Sequence, residues 1–378
     1  MRKPKFVITL YQAAMSARLR AKVRRTERRI RRFDQLMPDE LDRFVVSRRH
    51  VLTGESITHE SASAIPERQE LHTGDLSLTV LQNVVVDVHF GFAITDTGLL
   101  LEETAINRHV IDRHLVTGKL LRPTVTLAVD RPVMCLECGP NKSNFFHFWF
   151  QSLTKLLWAT EPELQGLGPM YLVHTRVLQP WQVTLLRAAL PPETELLRVD
   201  RTTLVRTPLY VDLPPYNGTA LDPDTRATIS DWARAVVDAT ATEAPLPTRF
   251  YVSRRGGKVR HALNESTLEK ELAPRGIPTV VLEDLTMGDQ IRLFAQADVI
   301  VAQHGAGLAN LLHARPQTRL LEIFSGSPKS MPLQYRGIAA AIGMSYSNLF
   351  CGSDHHNDDV ALPVAEIVEW VDGATKAG

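Results

Sequence analysis

From about residue 249 to residue 341, short apolar runs alternate with segments whose apolar positions recur every three or four residues. The runs predict strands at 249–253, 278–282, 298–302 and 319–323. The periodic segments predict helices at 265–273, at 287–296, from Gly307 onward, and from about Met331 to Ala341. Strands that alternate with helices in this way pair in parallel, because each helix carries the chain back along the sheet. The expected product is a doubly wound α/β domain.

Upstream the pattern is less uniform. The β-branched stretch LSLTVLQNVVVDVHFGFAITDTGLLLEE reads as strands broken by a turn at Asp96-Thr97-Gly98. NFFHFWFQSLTKLLWA, beginning at Asn144, is too continuously apolar for a surface helix and predicts a buried one. MYLVHT, a helical pattern from Pro180 to Leu190, and ELLRVD form a strand, helix, strand unit with parallel pairing. A turn-rich region between Pro214 and Pro247, with a helix from Asp224 to Ala239, separates the two halves. Val364 to Val371 predicts a last helix that returns to the first domain. The expected organisation is 1–40, a basic helix; 41–215, an N-terminal α/β domain; 216–247, linker and helix; 248–360, a C-terminal Rossmann-like domain; and 361–378, the last helix.

A length of 378 residues, with 44% apolar and 22% charged residues, suits a globular protein of two domains. No apolar run approaches the roughly 18 residues that a membrane-spanning helix needs, and Phe6 to Leu10 is too short for a secretory signal core, so a cytoplasmic protein is expected. Charge changes this picture at one end. Residues 1–33 hold twelve Lys and Arg against Glu27 alone, with Leu19, Val23, Ile30 and Phe33 at helical spacing. An amphipathic basic helix there suits an anionic membrane surface, an acidic partner or the net acidic remainder of the chain. Nucleic acid is not expected, because the remainder lacks a basic, aromatic-interleaved patch.

Candidate chemistry gathers at the carboxyl ends of the predicted strands, where open parallel sheets bind ligands. Ser253, Arg254 and Arg255 follow one strand directly, with two glycines, Lys258 and Arg260 beyond. Guanidinium groups there can fork onto a diphosphate, or stand as solvated loop cations. His304-Gly305-Ala306-Gly307 follows another strand and opens a helix, so that backbone amides and a close approach are available to a phosphate; a plain tight turn is the competing reading. Cys135 and Cys138 form a lone CxxC, DHHNDD spans 354–359, and Asp222-Pro223-Asp224 is formally a DxD. Buried thiols, a polar loop and a helix cap account for these more simply than a metal does.

FYVSRR, Asn264-Glu265, EDLTMGDQIRLFAQADVIVAQHGAGLANLL and LLEIF, together with NFFHFWFQSLTKLL upstream, resemble glycosyltransferase family 61 over about residues 78 to 325. HARP, from His313, departs from the aromatic turn usual in that family after the glycine-rich helix. The resemblance implies two Rossmann-like domains facing across a cleft, the GT-B arrangement, and an inverting transferase without a metal or other cofactor. The donor it implies is a nucleotide sugar, a UDP-sugar foremost, and the acceptor a glycan or a lipid-linked glycan; the basic N-terminal helix would hold such an enzyme peripherally at the inner face of the plasma membrane. Asn144 and His147 match the acceptor side. His147 is the candidate base, and Asp87 and His89 are weaker ones. Ser253, Arg254, Arg255, Arg260, His304, Gly305, Ala306, Gly307, Asn310 and Glu322 are the candidate donor residues. Glu322 is expected to accept from ribose hydroxyls and Asn310 to fix the glycine turn, while Glu283 and Gln290 match the family pattern, Glu283 also reading as a helix cap. An epimerase or hydrolase, or a non-catalytic nucleotide-sugar-binding protein, remains an alternative on the same architecture.

Overall fold

The structure, a computed structural model, describes residues 30–32, 35–52, 56–59, 69–72, 76–89, 91–101, 125–136, 144–159, 161–213, 223–257, 259–325, 334–352 and 359–376. The predicted basic helix lies outside these residues except at its end, where Ile30–Arg31 is a strand paired in parallel with Leu100–Leu101. Lys258, Cys138, Asp222 and most of DHHNDD also lie outside them. The chain divides into two compact units, one of Met1–Thr53, Asp75–Leu178 and Leu190–Tyr216, the other of Gly54–Gly74, Gln179–Ala189 and Asn217–Gly378.

The first unit is mixed α/β and contains two six-stranded sheets. In one, Val84–Asp87, Phe92–Thr95 and Leu100–Leu101 run antiparallel. Gly91 and Gly98, at φ of 70° and 82°, supply the left-handed backbone that such close returns require. In the other, Val133–Cys135, Tyr171–His174, Glu195–Arg198 and Leu209–Asp212 are parallel, and Leu76–Gln82 and Val45–Leu52 join them antiparallel. The predicted parallel pairing of MYLVHT with ELLRVD is present, but helix Pro180–Ala189 between them belongs to the second unit. The Rossmann-like pattern expected upstream is thus only part of this unit, because short turns favour antiparallel return over helical crossover. The aromatic segment is helical as predicted, but it changes from α at Phe145–His147 to a π turn at Phe148–Ser152 and a 3₁₀ stretch at Leu153–Trp158.

The second unit contains a five-stranded, wholly parallel sheet. Its strands in chain order are Arg249–Val252, Thr279–Val280, Val299–Gln303, Arg319–Phe324 and Ser345–Phe350, and their spatial order is 2-1-3-4-5. The connections diverge between the first and third strands, which leaves a crevice at their carboxyl ends. Val299–Gln303 is buried throughout, as a central strand covered on both faces must be. The helix Val364–Lys376, expected to return to the first domain, instead completes the core here: Ile367 and Val371 pack with Tyr251, Leu268, Leu272 and Val301. Apolar area buried against a sheet in its own unit decides this placement, which spacing along the chain does not reveal.

Helix Pro223–Thr240 ends against the start of helix Met287–Ala295. Gly288 N–H donates to Thr240 Oγ1 at 2.9 Å, and a Cβ on Gly288 would fall 2.5 Å from Ala241 N. Gly288→Ala should therefore force the two helix ends apart and cost about 1–3 kcal/mol, read as a lower denaturant midpoint. An unchanged midpoint would show that this junction tolerates a methyl group.

Candidate functional site

At the end of the first strand, Arg254 turns back across the crevice toward the end of the third. Its Nη1 donates to the His304 carbonyl at 3.1 Å, and Nη2 and Nε donate to the Val259 carbonyl at 3.2 and 3.4 Å. A Cβ at residue 305 would lie 1.7 Å from Nη1, so glycine is required there to seat a guanidinium. Gly307 meets a different neighbour, since a Cβ there would lie 2.7 Å from Leu282 Cδ1 and the leucine would have to shift.

Arg260 joins Arg254 on this edge. It takes a left-handed conformation, φ 64°, at a cost of about 1–2 kcal/mol for a side chain with a Cβ. Its Nε is buried and has no hydrogen-bond partner among the described residues. Burial, reinforced by the like charge of Arg254, pushes the Arg260 guanidinium down to about 10, and burial lowers Arg254 as well. Both stay cationic at neutral pH, and the carboxylates that act on them, Glu283 on Arg254 and Glu322 on Arg260, do so through space, with no side-chain hydrogen bond to either guanidinium among the described residues. Two half-buried, like-charged groups that no carboxylate contacts directly form a site of positive potential.

His304 stands beside them, its ring stacked on Phe324 at 5.0 Å and tilted on Tyr335 at 5.3 Å. Nδ1 lies 2.6 Å from Glu322 Oε1, and Glu322 Oε2 accepts from Tyr346 Oη at 2.8 Å. With the carboxylate ionised, Nδ1 carries the proton and Nε2 is the free nitrogen of the neutral ring. Glu322 is 0% exposed and both its oxygens are engaged. The expectation that it meets a ribose is corrected: a buried strand residue reaches the site only through His304. Asn310 fixes the glycine turn as expected, donating from Nδ2 to Gly307 O and to Gln290 Oε1, both at 3.1 Å.

Arg255 departs from its expected place. Its guanidinium pairs with Glu269 and lies 3.4 Å from Glu265, both on helix Glu265–Leu272, and its Nε donates to Ser253 Oγ at 3.1 Å. Adjacent residues leaving a strand point to opposite sides, so one arginine of the pair faces the crevice and the other the helix.

Beside the cations lies a cavity of about 130 Å³, lined by Ser253, Arg254, Leu282, Glu283, Gln303 and the turn Gly305-Ala306-Gly307. Glu283 does not cap the following helix, as Thr286 does, accepting from Asp289 N–H at 3.1 Å. Sequence reading missed Gln303. It is a buried polar residue ending an apolar strand, and that was the available signal.

In the first unit, Asn144 Oδ1 accepts from Phe146 N–H at 2.9 Å and so begins the aromatic helix. His147, half-buried, has Nδ1 2.8 Å from Gln151 Oε1, and desolvation lowers its pKa below the ordinary imidazole value. Asp87 is half-buried at the end of its strand, with its carbonyl accepting from Gly91 N–H. His89 is half-buried just beyond.

A model of the family described as Glycosyltransferase 61 matches residues 45–321, well over half of the chain. No curated protein matches it.

The loop that carries both arginines is clasped by the chain's last segment. His261 Nδ1 lies 3.0 Å from Asp359 Oδ1, its Nε2 lies 2.9 Å from Gly257 O, and Asn264 exchanges two hydrogen bonds with the backbone of Leu362. Both ring nitrogens face acceptors, so the doubly protonated ring fits best. The Gly257 carbonyl first, then Asp359, raises the pKa of His261, while Arg254 opposes them. A raised histidine stabilises fully below its unfolded value near 6.5, and this contribution fades as pH rises through the folded value. NMR titration should show His261 above 6.5, and Asp359→Asn should lower it; a midpoint at or below 6.5 contradicts the clasp.

Proposed function

The chain belongs to glycosyltransferase family 61, and we propose that it transfers a sugar from a nucleotide-sugar donor to a glycan or lipid-linked acceptor with inversion and without a metal. The observation that carries this reading is the pair Arg254 and Arg260, two neighbouring half-buried guanidiniums that no carboxylate contacts directly, at the switch point of a parallel sheet.

A diphosphate seated there would relieve the like-charge repulsion and receive charge-assisted hydrogen bonds from the two guanidiniums. Because negative charge grows on the diphosphate as the glycosidic bond breaks, fixed cations of this kind stabilise the departing group more than the bound donor. His304 is held beside them by its bond to Glu322. Arg255 is left out of this role by its pairing with Glu265 and Glu269.

Inversion requires a single displacement. The acceptor oxygen forms its bond to the anomeric carbon as the bond to the diphosphate breaks, and the hydroxyl proton passes to a base. His147 is the proposed base. Desolvation keeps its ring neutral at neutral pH, and donation from Nδ1 to Gln151 leaves the Nε2 lone pair for the proton. Asn144 supports it by fixing the first turn, and Asp87 is the second candidate.

Arg254→Ala and Arg260→Ala should each weaken nucleoside diphosphate binding by roughly 10- to 100-fold, as loss of a charged hydrogen bond implies, while Arg255→Ala changes it by less than about threefold. Calorimetry decides; equal losses in all three variants would overturn the assignment. For His147, turnover should fall as pH drops through its depressed pKa. His147→Ala should remove most turnover while leaving diphosphate binding intact; an unaltered pH–rate profile in that variant sinks the base.

A further inference from the structure

The clasp between His261 and the tail uses Asp359 and Leu362, which lie beyond the stretch 45–321 that matches the family. Its chemistry is therefore read from this chain alone. The lip closes on Arg254 through backbone and side chain together. The Gly257 N–H donates to the Arg254 carbonyl at 2.8 Å, and the Val259 carbonyl accepts from the Arg254 guanidinium at 3.2 Å. Gly257 then passes the connection on, because its own carbonyl faces His261 Nε2 at 2.9 Å while Nδ1 of the same ring faces Asp359 at 3.0 Å. One imidazole thus ties the turn that frames Arg254 to the tail.

That tie depends on a proton. The charged ring donates from both nitrogens, whereas the neutral ring keeps a single N–H and turns a lone pair toward the other acceptor. A carboxylate is the stronger acceptor and holds the remaining N–H, so the bond lost is the one to Gly257. Asp359 stays ionised throughout, since the His261 N–H first, then the ring and the Arg260 N–H, hold it below the usual carboxylate range. The charged groups acting on the ring are Asp359 from the tail and Arg254 from the strand end, the first favouring the proton and the second opposing it. The His261 side chain is 40% exposed, so solvent can supply and remove that proton.

An anion on Arg254 would cancel the opposition. Resting on the cation site of the transferase reading above, we propose that His261 is a proton-operated latch on that site: protonation closes the Gly257 turn around Arg254 and strengthens diphosphate binding, and a bound diphosphate in turn draws a proton onto His261. The two effects are equal in free energy, as linkage between two sites requires. The gain in affinity is fully present below the pKa of His261 in the free protein and is lost as pH rises through that of the complex, which is the higher of the two.

Calorimetric titration of the full chain with inorganic pyrophosphate between about pH 5.5 and about pH 8.5 tests this, using wild type, His261→Gln and Asp359→Asn, each checked for a native melting transition. Dividing the wild-type affinity by that of His261→Gln at each pH cancels the titration of pyrophosphate itself. The ratio should fall about two- to fivefold as pH rises, the range expected for an exposed charged contact, and Asp359→Asn should move the fall to lower pH. The NMR midpoint of His261 in wild type should move upward under saturating pyrophosphate. A flat ratio, or a midpoint that stays in place or moves down, overturns the latch and leaves the transferase reading standing. If pyrophosphate binds wild type at no pH, the latch and the cation site of that reading fall together.

Discussion

One guanidinium organises the carboxyl edge of the parallel sheet. Arg254 spans from the first strand to the third by donating to the carbonyls of His304 and Val259, and those bonds satisfy its protons without cancelling its charge. Carbonyl dipoles can hold a cation in place, whereas a carboxylate would also neutralise it. The glycine at 305, the path of the 255–261 loop and the closeness of Arg260 all follow from seating that group. A site that is to receive an anion needs such a cation, fixed but uncompensated.

The carboxylate of the fourth strand is committed elsewhere. Glu322 lies on the neighbouring strand, fully buried, with one oxygen on His304 and the other on Tyr346. Burying a carboxylate is tolerable only when its lone pairs are used, and here their use orients an imidazole beside two arginines. The charge of Glu322 is thus kept below the surface that a ligand would meet, while Glu283 is the carboxylate that lines the cavity beside Arg254. Asn310, Gln290 and the Leu282 carbonyl form a second relay that sets the glycine turn against the cavity wall.

The alternation of apolar runs and amphipathic segments made four strands of the second unit's parallel sheet legible to within two residues, but not the fifth, Ser345–Phe350, whose polar residues break the apolar run. A fully buried strand such as Val299–Gln303 leaves a plain signature. The direction of Arg255 was not legible, because Glu265 and Glu269 meet it only once the following helix is in place. Nor was the need for Gly305. A glycine read as leaving room for phosphate in fact leaves room for arginine, and the two motifs read separately along the chain turn out to be one contact. Glu322 had the right position and the wrong depth, since strand ends in a sequence carry no record of what covers them.

The segment around Asp359 to Leu362 stitches onto His261 to Asn264, almost a hundred residues earlier, through a backbone bridge between Ala262 and Val360 and the side-chain bonds on either side of it. The lip that carries Arg254 is consequently closed like a purse by its own drawstring. A truncation of the tail, or an insertion ahead of residue 359, would slacken a surface that lies far from it along the chain, and homologues with altered tails would be expected to differ in how firmly they grip charge.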